Sequence, residues 1–212
     1  MEKLAIFDID YTLTKKETSM ELYKYMLRKD KKLLRYLPSH IVTGLFYAVR
    51  VYNPAKTKES FLRFLSGTNE EELKSIVQGF YKEKIESILY EDGIKAIKDF
   101  KEKGYKIYLI SASPEFYVNE FYNIKEVDKV IGTKFHVNDG KFSSKILGEN
   151  CKGEEKVKRL MEELKKDNIE VDFKNSYMFS DSLSDLPLLK LVGKGYLINY
   201  KKNHELEILR WR

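Results

Sequence analysis

The sequence predicts an α/β fold built on a doubly wound, Rossmann-like parallel sheet, and three observations carry that prediction. Four short apolar runs, Leu4–Phe7, Lys106–Ile110, Ser176–Phe179 and Tyr196–Ile198, lack clean alternation, as expected of strands covered on both faces. Helical patterns lie between them, the strand–helix rhythm of a parallel sheet. Acids, hydroxyls and a lysine cluster just after these runs or at a helix start, on the sheet edge where such folds hold ligands.

Taken in order, the first run passes directly into Asp8-Ile9-Asp10-Tyr11-Thr12. Side chains two apart on a strand point to one side, so Asp8 and Asp10 should leave the strand together. Two acids so placed repel, which calls for a cation between them or a proton on one. A turn-rich strand exit accounts for one Asp but poorly for the pair with Thr12.

Residues 14–88 contain no clear strand. Apolar residues recur at helical spacing, as in Leu22, Tyr25 and Met26, and again in Phe61, Phe64 and Leu65. The segment is too long for a loop, and it is expected to form an inserted helical cap subdomain. The core would then comprise residues 1–13 and 89–212. Within the insertion, residues 41–52 are strongly apolar but too short to span a bilayer, so a buried helix is expected. A surface accepting a lipid or other apolar group is the other reading.

Asp92–Lys103 reads as a helix stopped by Gly104, and Glu115–Tyr122 as one entered through Pro114. Residues 129–147 are expected to form a small β-hairpin turning at Asn138-Asp139-Gly140-Lys141. Gly153–Lys166 carries a helical stripe at Val157, Leu160, Met161 and Leu164, and Ser184–Leu191 a short helix around Pro187.

Composition narrows the chemistry. The single cysteine, Cys151, allows no internal disulfide or cysteine-built metal site. Only three scattered histidines are present, so a metal here would be a hard cation such as Mg²⁺ on oxygen ligands. The formal charge is +6, yet residues 15–60 alone hold eleven Lys/Arg against four Asp/Glu. That field would attract anionic substrates. No nucleic-acid-binding fingerprint accompanies it, and no nucleic-acid partner is expected. No transmembrane segment is expected either. The N-terminus reads directly into the first strand, so no signal peptide and a cytoplasmic protein are expected.

Ser111 follows the second run, Lys156 opens the helix from Gly153, and Asp181 and Asp185 follow the third run. Singly each has an ordinary reading: Ser111 as a turn hydroxyl before Pro114, Lys156 as a solvated helix lysine, Asp181 as a helix cap. Their order and placement favour convergence with Asp8 and Asp10 at one sheet edge.

Together these motifs resemble the haloacid dehalogenase superfamily, and the resemblance covers nearly the whole chain. Asp8-Ile9-Asp10-Tyr11-Thr12 is similar to its first motif, DxDxT. Ser111 resembles the second, Lys156 the third, and Asp181 with Asp185 the fourth, DxxxD. The insertion is similar to a C1-type cap, and Ile110-Ser111-Ala112-Ser113-Pro114 resembles the phosphoserine-phosphatase-like branch, subfamily IB.

The resemblance implies a Mg²⁺-dependent phosphomonoester hydrolase acting on a small organic phosphate. Asp8 would be the nucleophile and form an aspartyl phosphate, and Asp10 would carry the proton. Members acting on carbon differ at the position of Asp10, so its presence implies phosphoryl transfer. Mg²⁺ would bind the Asp8 carboxylate, the Asp10 carbonyl and Asp181. Ser111, Ala112 and Lys156 would hold phosphate, and Asp185 would support the metal's waters or orient Lys156. Glu17 and Arg63 are candidate substrate-binding residues, since phosphoserine phosphatases use a glutamate and a cap arginine. Glu17 also reads as a helix-first-turn acid, and the residues after Arg63 follow that enzyme's spacing poorly. Authentic phosphoserine phosphatase and a phosphatase of lysophospholipids or other amphiphilic phosphates are therefore alternatives. A non-catalytic phosphate-binding or phospho-acceptor protein is an alternative of a different class.

Overall fold

Strand β1, Leu4–Phe7, is fully buried and stands in the middle of the sheet. The structure, a computed structural model, describes residues 1–212. After β1 the chain runs through helices α1 (Thr18–Lys29), α2 (Leu37–Ala48), α3 (Pro54–Phe61), α4 (Glu70–Phe80) and α5 (Glu86–Ile88). It returns through α6 (Glu91–Glu102), strand β2 (Lys106–Pro114) and the short α7 (Glu115–Val118). Strands β3 (Lys129–Thr133), β4 (Phe135–Asn138) and β5 (Lys141–Ile146) follow, then α8 (Glu154–Lys166) and β6 (Tyr177–Ser180). Helix α9 (Leu186–Leu191), β7 (Lys194–Ile198) and β8 (Glu207–Leu209) complete the fold.

Six strands form one parallel sheet in the order β3-β2-β1-β6-β7-β8. Successive β1 residues feed opposite faces, as pleating requires. Ala5 and Phe7 join a core shared with the inserted helices, while Leu4 and Ile6 pack with Leu160, Leu164 and Leu188 from α8 and α9. Phe7 stacks on Phe179 of β6, with ring centroids 4.7 Å apart and planes 10° from parallel. Such a pair contributes about 0.5–1.5 kcal/mol beyond its buried area. It also locks β1 beside β6, so Asp8 and Ser180 emerge together at the point where strand order reverses.

The segments leading into and out of the insertion pair with each other. Thr14 bridges Leu89 in antiparallel fashion, the Lys15 amide donates to the Ile88 carbonyl at 2.7 Å, and the Tyr90 amide donates to the Leu13 carbonyl at 2.8 Å. All regular structure between them is helical.

Three sequence expectations need correction, and one strand lay outside them. Residues 129–133 are not part of the hairpin but a core strand, β3, because Val130 and Ile131 are buried and pair in register with Leu109 and Ile110. The hairpin is only β4 and β5, and its Asp139-Gly140 turn has positive φ at both residues, 50° and 68°, as a type I′ turn demands. Strand β8 was not foreseen, since three residues with two apolar side chains give too little pattern. The helix expected over Glu115–Tyr122 tightens after Val118 into a 3₁₀ turn. Finally, α2 is not a buried helix: Thr43 is its only buried residue. No helix is long and apolar enough to cross a membrane.

Candidate active site

Asp8 follows the last residue of β1, and its amide donates to the Phe179 carbonyl at 3.0 Å. Beyond Asp10 the backbone reverses at Tyr11, which takes φ of 57°. That left-handed conformation is costly for a tyrosine and bends the chain across the sheet edge. Thr12 closes the turn: its hydroxyl accepts the Asp181 amide at 2.9 Å and lies 3.4 Å from Asp8 Oδ2.

Lys156 enters from the first turn of α8. The preceding Gly153 adopts φ 61° and ψ −128°, a conformation open to glycine, and so aims the helix at β1. The Lys156 ammonium is almost fully buried and donates to Asp8 Oδ1 at 2.6 Å and Asp185 Oδ2 at 2.7 Å. Ser180 Oγ donates to the same Asp185 oxygen at 2.8 Å, while Asp185 Oδ1 is buried with no hydrogen-bond partner.

Asp10 points toward the insertion. Its Oδ1 accepts the Thr18 amide and hydroxyl, each at 2.6 Å, and its Oδ2 accepts the Ser113 hydroxyl at 2.5 Å. Asp10 thereby joins α1 to the end of β2. Ser111, buried on β2, accepts the Ser113 amide at 3.0 Å. Asp8, Asp10, Ser111, Ala112, Lys156, Asp181 and Asp185 all line one cleft of about 200 Å³, with Lys152 at its edge.

The balance of charge in this cleft is telling. Four carboxylates face two lysines, only one of which is buried. Burial pushes the Asp8 carboxyl up to about 8; Lys156 pulls the other way, and Asp185 and Asp10 add to the rise. Burial, reinforced by Asp185 and Asp10, lifts Asp181 to about 6. These acids are short of positive charge, and the orphaned Asp185 oxygen marks the same deficit. No group of three or more acidic, His or Cys side chains converges as a ready metal cage. The donors suit an ion that accepts one or two carboxylates and fills its remaining positions with main-chain oxygen and water, as Mg²⁺ does.

A second cleft, of about 490 Å³, lies under α2 and α3 and shares Lys152 with the first. Glu17 lines it and caps α1, accepting the Ser19 and Met20 amides at 3.2 and 2.7 Å. Burial, with Asp10 nearby, raises its carboxyl above the ordinary range. Arg63 is not brought to the site: it is exposed on the 3₁₀ turn Leu62–Leu65 and lines neither cleft. In its place stands Lys58, which sequence reasoning missed. From α3 it donates to the Ala112 carbonyl and to Asn150 Oδ1, and approaches Thr133 Oγ1 at 3.4 Å. Tyr117 was also missed; its hydroxyl meets those of Thr18 and Ser19 at 3.0 and 3.1 Å. Only tertiary placement distinguishes these two residues from their neighbours.

Known proteins resemble this chain in sequence and in fold. The histidinol-phosphatase of Neisseria meningitidis is 27% identical over 206 residues, covering 94% of this chain and 91% of its own. A Bordetella pertussis protein of unknown function superposes with a TM-score of 0.84 at 22% identity, covering 95% of this chain and 92% of its own. A substrate-bound phosphoserine phosphatase shares the fold with a TM-score of 0.65 at 19% identity, over 95% and 88% of the two chains. The model of the haloacid dehalogenase-like hydrolase family matches residues 5–190, a span containing every residue of the small cleft. The chain therefore belongs to the haloacid dehalogenase-like hydrolases.

Proposed function

We propose that this hydrolase is a Mg²⁺-dependent phosphatase that cleaves small organic phosphate monoesters through an aspartyl phosphate on Asp8. The observation that carries the reading is the Lys156 bridge. It holds Asp8 Oδ1 and Asp185 in a cleft that also contains Ser111 and Asp181, leaving Asp8 Oδ2 with only the long approach of Thr12.

In this mechanism Asp8 Oδ2 attacks phosphorus and the P–O bond to the alcohol breaks. Asp10, fixed on both oxygens by Thr18 and Ser113, gives its proton to the departing alkoxide. It then takes a proton from the water that attacks the aspartyl phosphate, which releases phosphate and restores Asp8. Ser111, the Ala112 amide and Lys156 hold the phosphoryl oxygens. The Asp8 and Asp181 carboxylates and the Asp10 carbonyl, which accepts no backbone hydrogen bond, are the groups that would hold Mg²⁺. When bound, the ion would screen the repulsion between Asp8 and the phosphate and stabilise charge in the transition state. Asp185 orients Lys156.

Residues 14–88 act as the cap in this reading, and the larger cleft receives the alcohol part of the substrate. The histidinol-phosphatase relative supports an amino-alcohol phosphate, for which Glu17 offers a carboxylate. The exposed position of Arg63 counts against authentic phosphoserine phosphatase, whose substrate also presents a carboxylate. In this reading the enzyme is cytoplasmic. The test is phosphate release from a monoester panel with and without Mg²⁺, with mass spectrometry of acid-quenched enzyme. A phosphoryl group on the peptide containing Asp8, and loss of turnover on the order of a thousandfold or more in Asp8→Asn, are expected. Substantial turnover by Asp8→Asn would falsify the assignment of the nucleophile.

A further inference from the structure

Nine of the sixteen large apolar side chains exposed anywhere on the chain fall between Leu34 and Val51. On α2 and just past its end, Leu37, Ile41, Leu45 and Val49 recur every fourth residue, so they form one stripe along one side. Ile41, Leu45 and Val49 are 58%, 60% and 67% exposed. The opposite side of α2 is fixed to the fold: His40 meets the Phe61 carbonyl at 3.0 Å, and Thr43 Oγ1 meets Ser60 Oγ at 2.7 Å. A contiguous apolar face of this kind on an otherwise polar chain marks an interaction surface.

Its charge setting identifies the occupant. Residues 31–58 hold six Lys/Arg and no Asp or Glu. Lys31, Lys32 and Arg35 stand exposed before the stripe, and Arg50 stands exposed after it. A second copy of this chain paired through the same face would set these cations against one another, with only the flanking Asp30 to answer them, since Glu59 is held by Lys145. An anionic lipid surface complements both features, because headgroups take the lysines and arginines while the acyl boundary takes the stripe. Helix α2 is twelve residues long, about 18 Å, and so suits lying in the interface but not spanning it.

We propose that the exposed face of α2 seats this protein on the surface of an anionic bilayer. The seat bears directly on the site, because Thr43, Gly44 and Tyr47 of the same helix line the larger cleft. Docking sets that cleft, on the other side of α2 from the stripe, beside the bilayer, where a phosphate ester with an apolar tail is concentrated. The docking itself does not depend on the chemistry proposed for Asp8.

The test is flotation of the full chain with vesicles of phosphatidylcholine alone, and of phosphatidylcholine with an equal part of phosphatidylglycerol. Wild type is expected to float with the anionic vesicles only, and added salt should weaken the association. The variant Ile41→Asp/Leu45→Asp should lose flotation while keeping its melting temperature and its turnover of a soluble aryl phosphate. Lys31→Glu/Arg35→Glu should also lose it. Absence of flotation by wild type, equal flotation with both vesicle types, or retained flotation of the apolar variant would each overturn the proposal. So would a wild-type dimer in sedimentation that the apolar variant dissolves, since a second copy would then cover the face. If no phosphate ester is turned over, the flotation result still stands, and only the catalytic reading falls.

Discussion

Lys58, in the inserted helices, donates a hydrogen bond to the main-chain carbonyl of Ala112, the residue after Ser111 on β2. A charge borne by the insertion is thereby spent on holding the peptide that follows a proposed phosphate ligand. Replacing Lys58 with Met should lower kcat/KM about 10- to 100-fold, the range for loss of a charge-assisted hydrogen bond. Steady-state kinetics on any accepted ester would show it, with KM bearing the larger part. Unchanged kinetics would mean the contact positions nothing.

The same lysine makes stability depend on pH in an unusual direction. Burial lowers its ammonium to about 8, against attraction from Asp10, Cys151 and Glu17. Below pH 8 both folded and unfolded chains are protonated, and the folded state bears the cost of the buried charge. Between about 8 and the ordinary lysine value the unfolded chain holds the extra proton, so the contribution to stability rises with pH. Urea melts across this window should show wild type gaining on Lys58→Met. A difference that is flat with pH counts against a lowered Lys58.

Lys156 is the only buried cation among the cleft acids. Lys156→Met leaves Asp8 and Asp185 buried without it, and should cost about 3–5 kcal/mol in chemical denaturation. The midpoint should fall with the slope unchanged. A loss below about 1 kcal/mol, within the range of an exposed pair, would show that the acids protonate at little cost.

Metal removal offers a readout independent of turnover. At a hundredfold excess over its dissociation constant, Mg²⁺ should stabilise the chain by about 2.7 kcal/mol, or about 5–10 °C in melting temperature. Chelator should reverse the shift, and Asp181→Asn should remove most of it. Coincident melting curves with chelator and with Mg²⁺ would sink the proposed ion site.

The legibility of this fold followed covalent order. Asp8, Ser111 and Asp181 could be read from the sequence because each follows an apolar run, and parallel strands carry their ends to one edge. Asp139-Gly140 could be read because few dipeptides tolerate positive φ twice. Lys58 could not. It sits among Lys56, Thr57 and Glu59 as one polar residue among several, and its partners Ala112 and Asn150 are 54 and 92 residues away. Arg63 is a candidate only because phosphoserine phosphatases use a cap arginine; the turn at Leu62–Leu65 buries its apolar neighbours and leaves Arg63 outside. The apolar stretch of α2 was read as core because burial is the usual fate of such residues. The other reading of residues 41–52, a surface accepting an apolar group, is separated from core only by the tertiary packing that leaves the stripe exposed.

The paired segments at Thr14 and Leu89 have a consequence for how such enzymes diversify. The insertion leaves and rejoins the sheet through one seam, closed by the bonds from Lys15 to Ile88 and from Tyr90 to Leu13. Both ends of a transplanted segment therefore need only match a single two-stranded joint. A graft that retains Leu13–Thr18, Ile88–Tyr90 and a lysine placed like Lys58 should accept foreign helices elsewhere while Asp8, Asp10, Lys156 and Asp185 keep their partners. Selectivity for one ester over another would then be exchangeable as a cassette, and the hydrolytic machinery inherited unchanged.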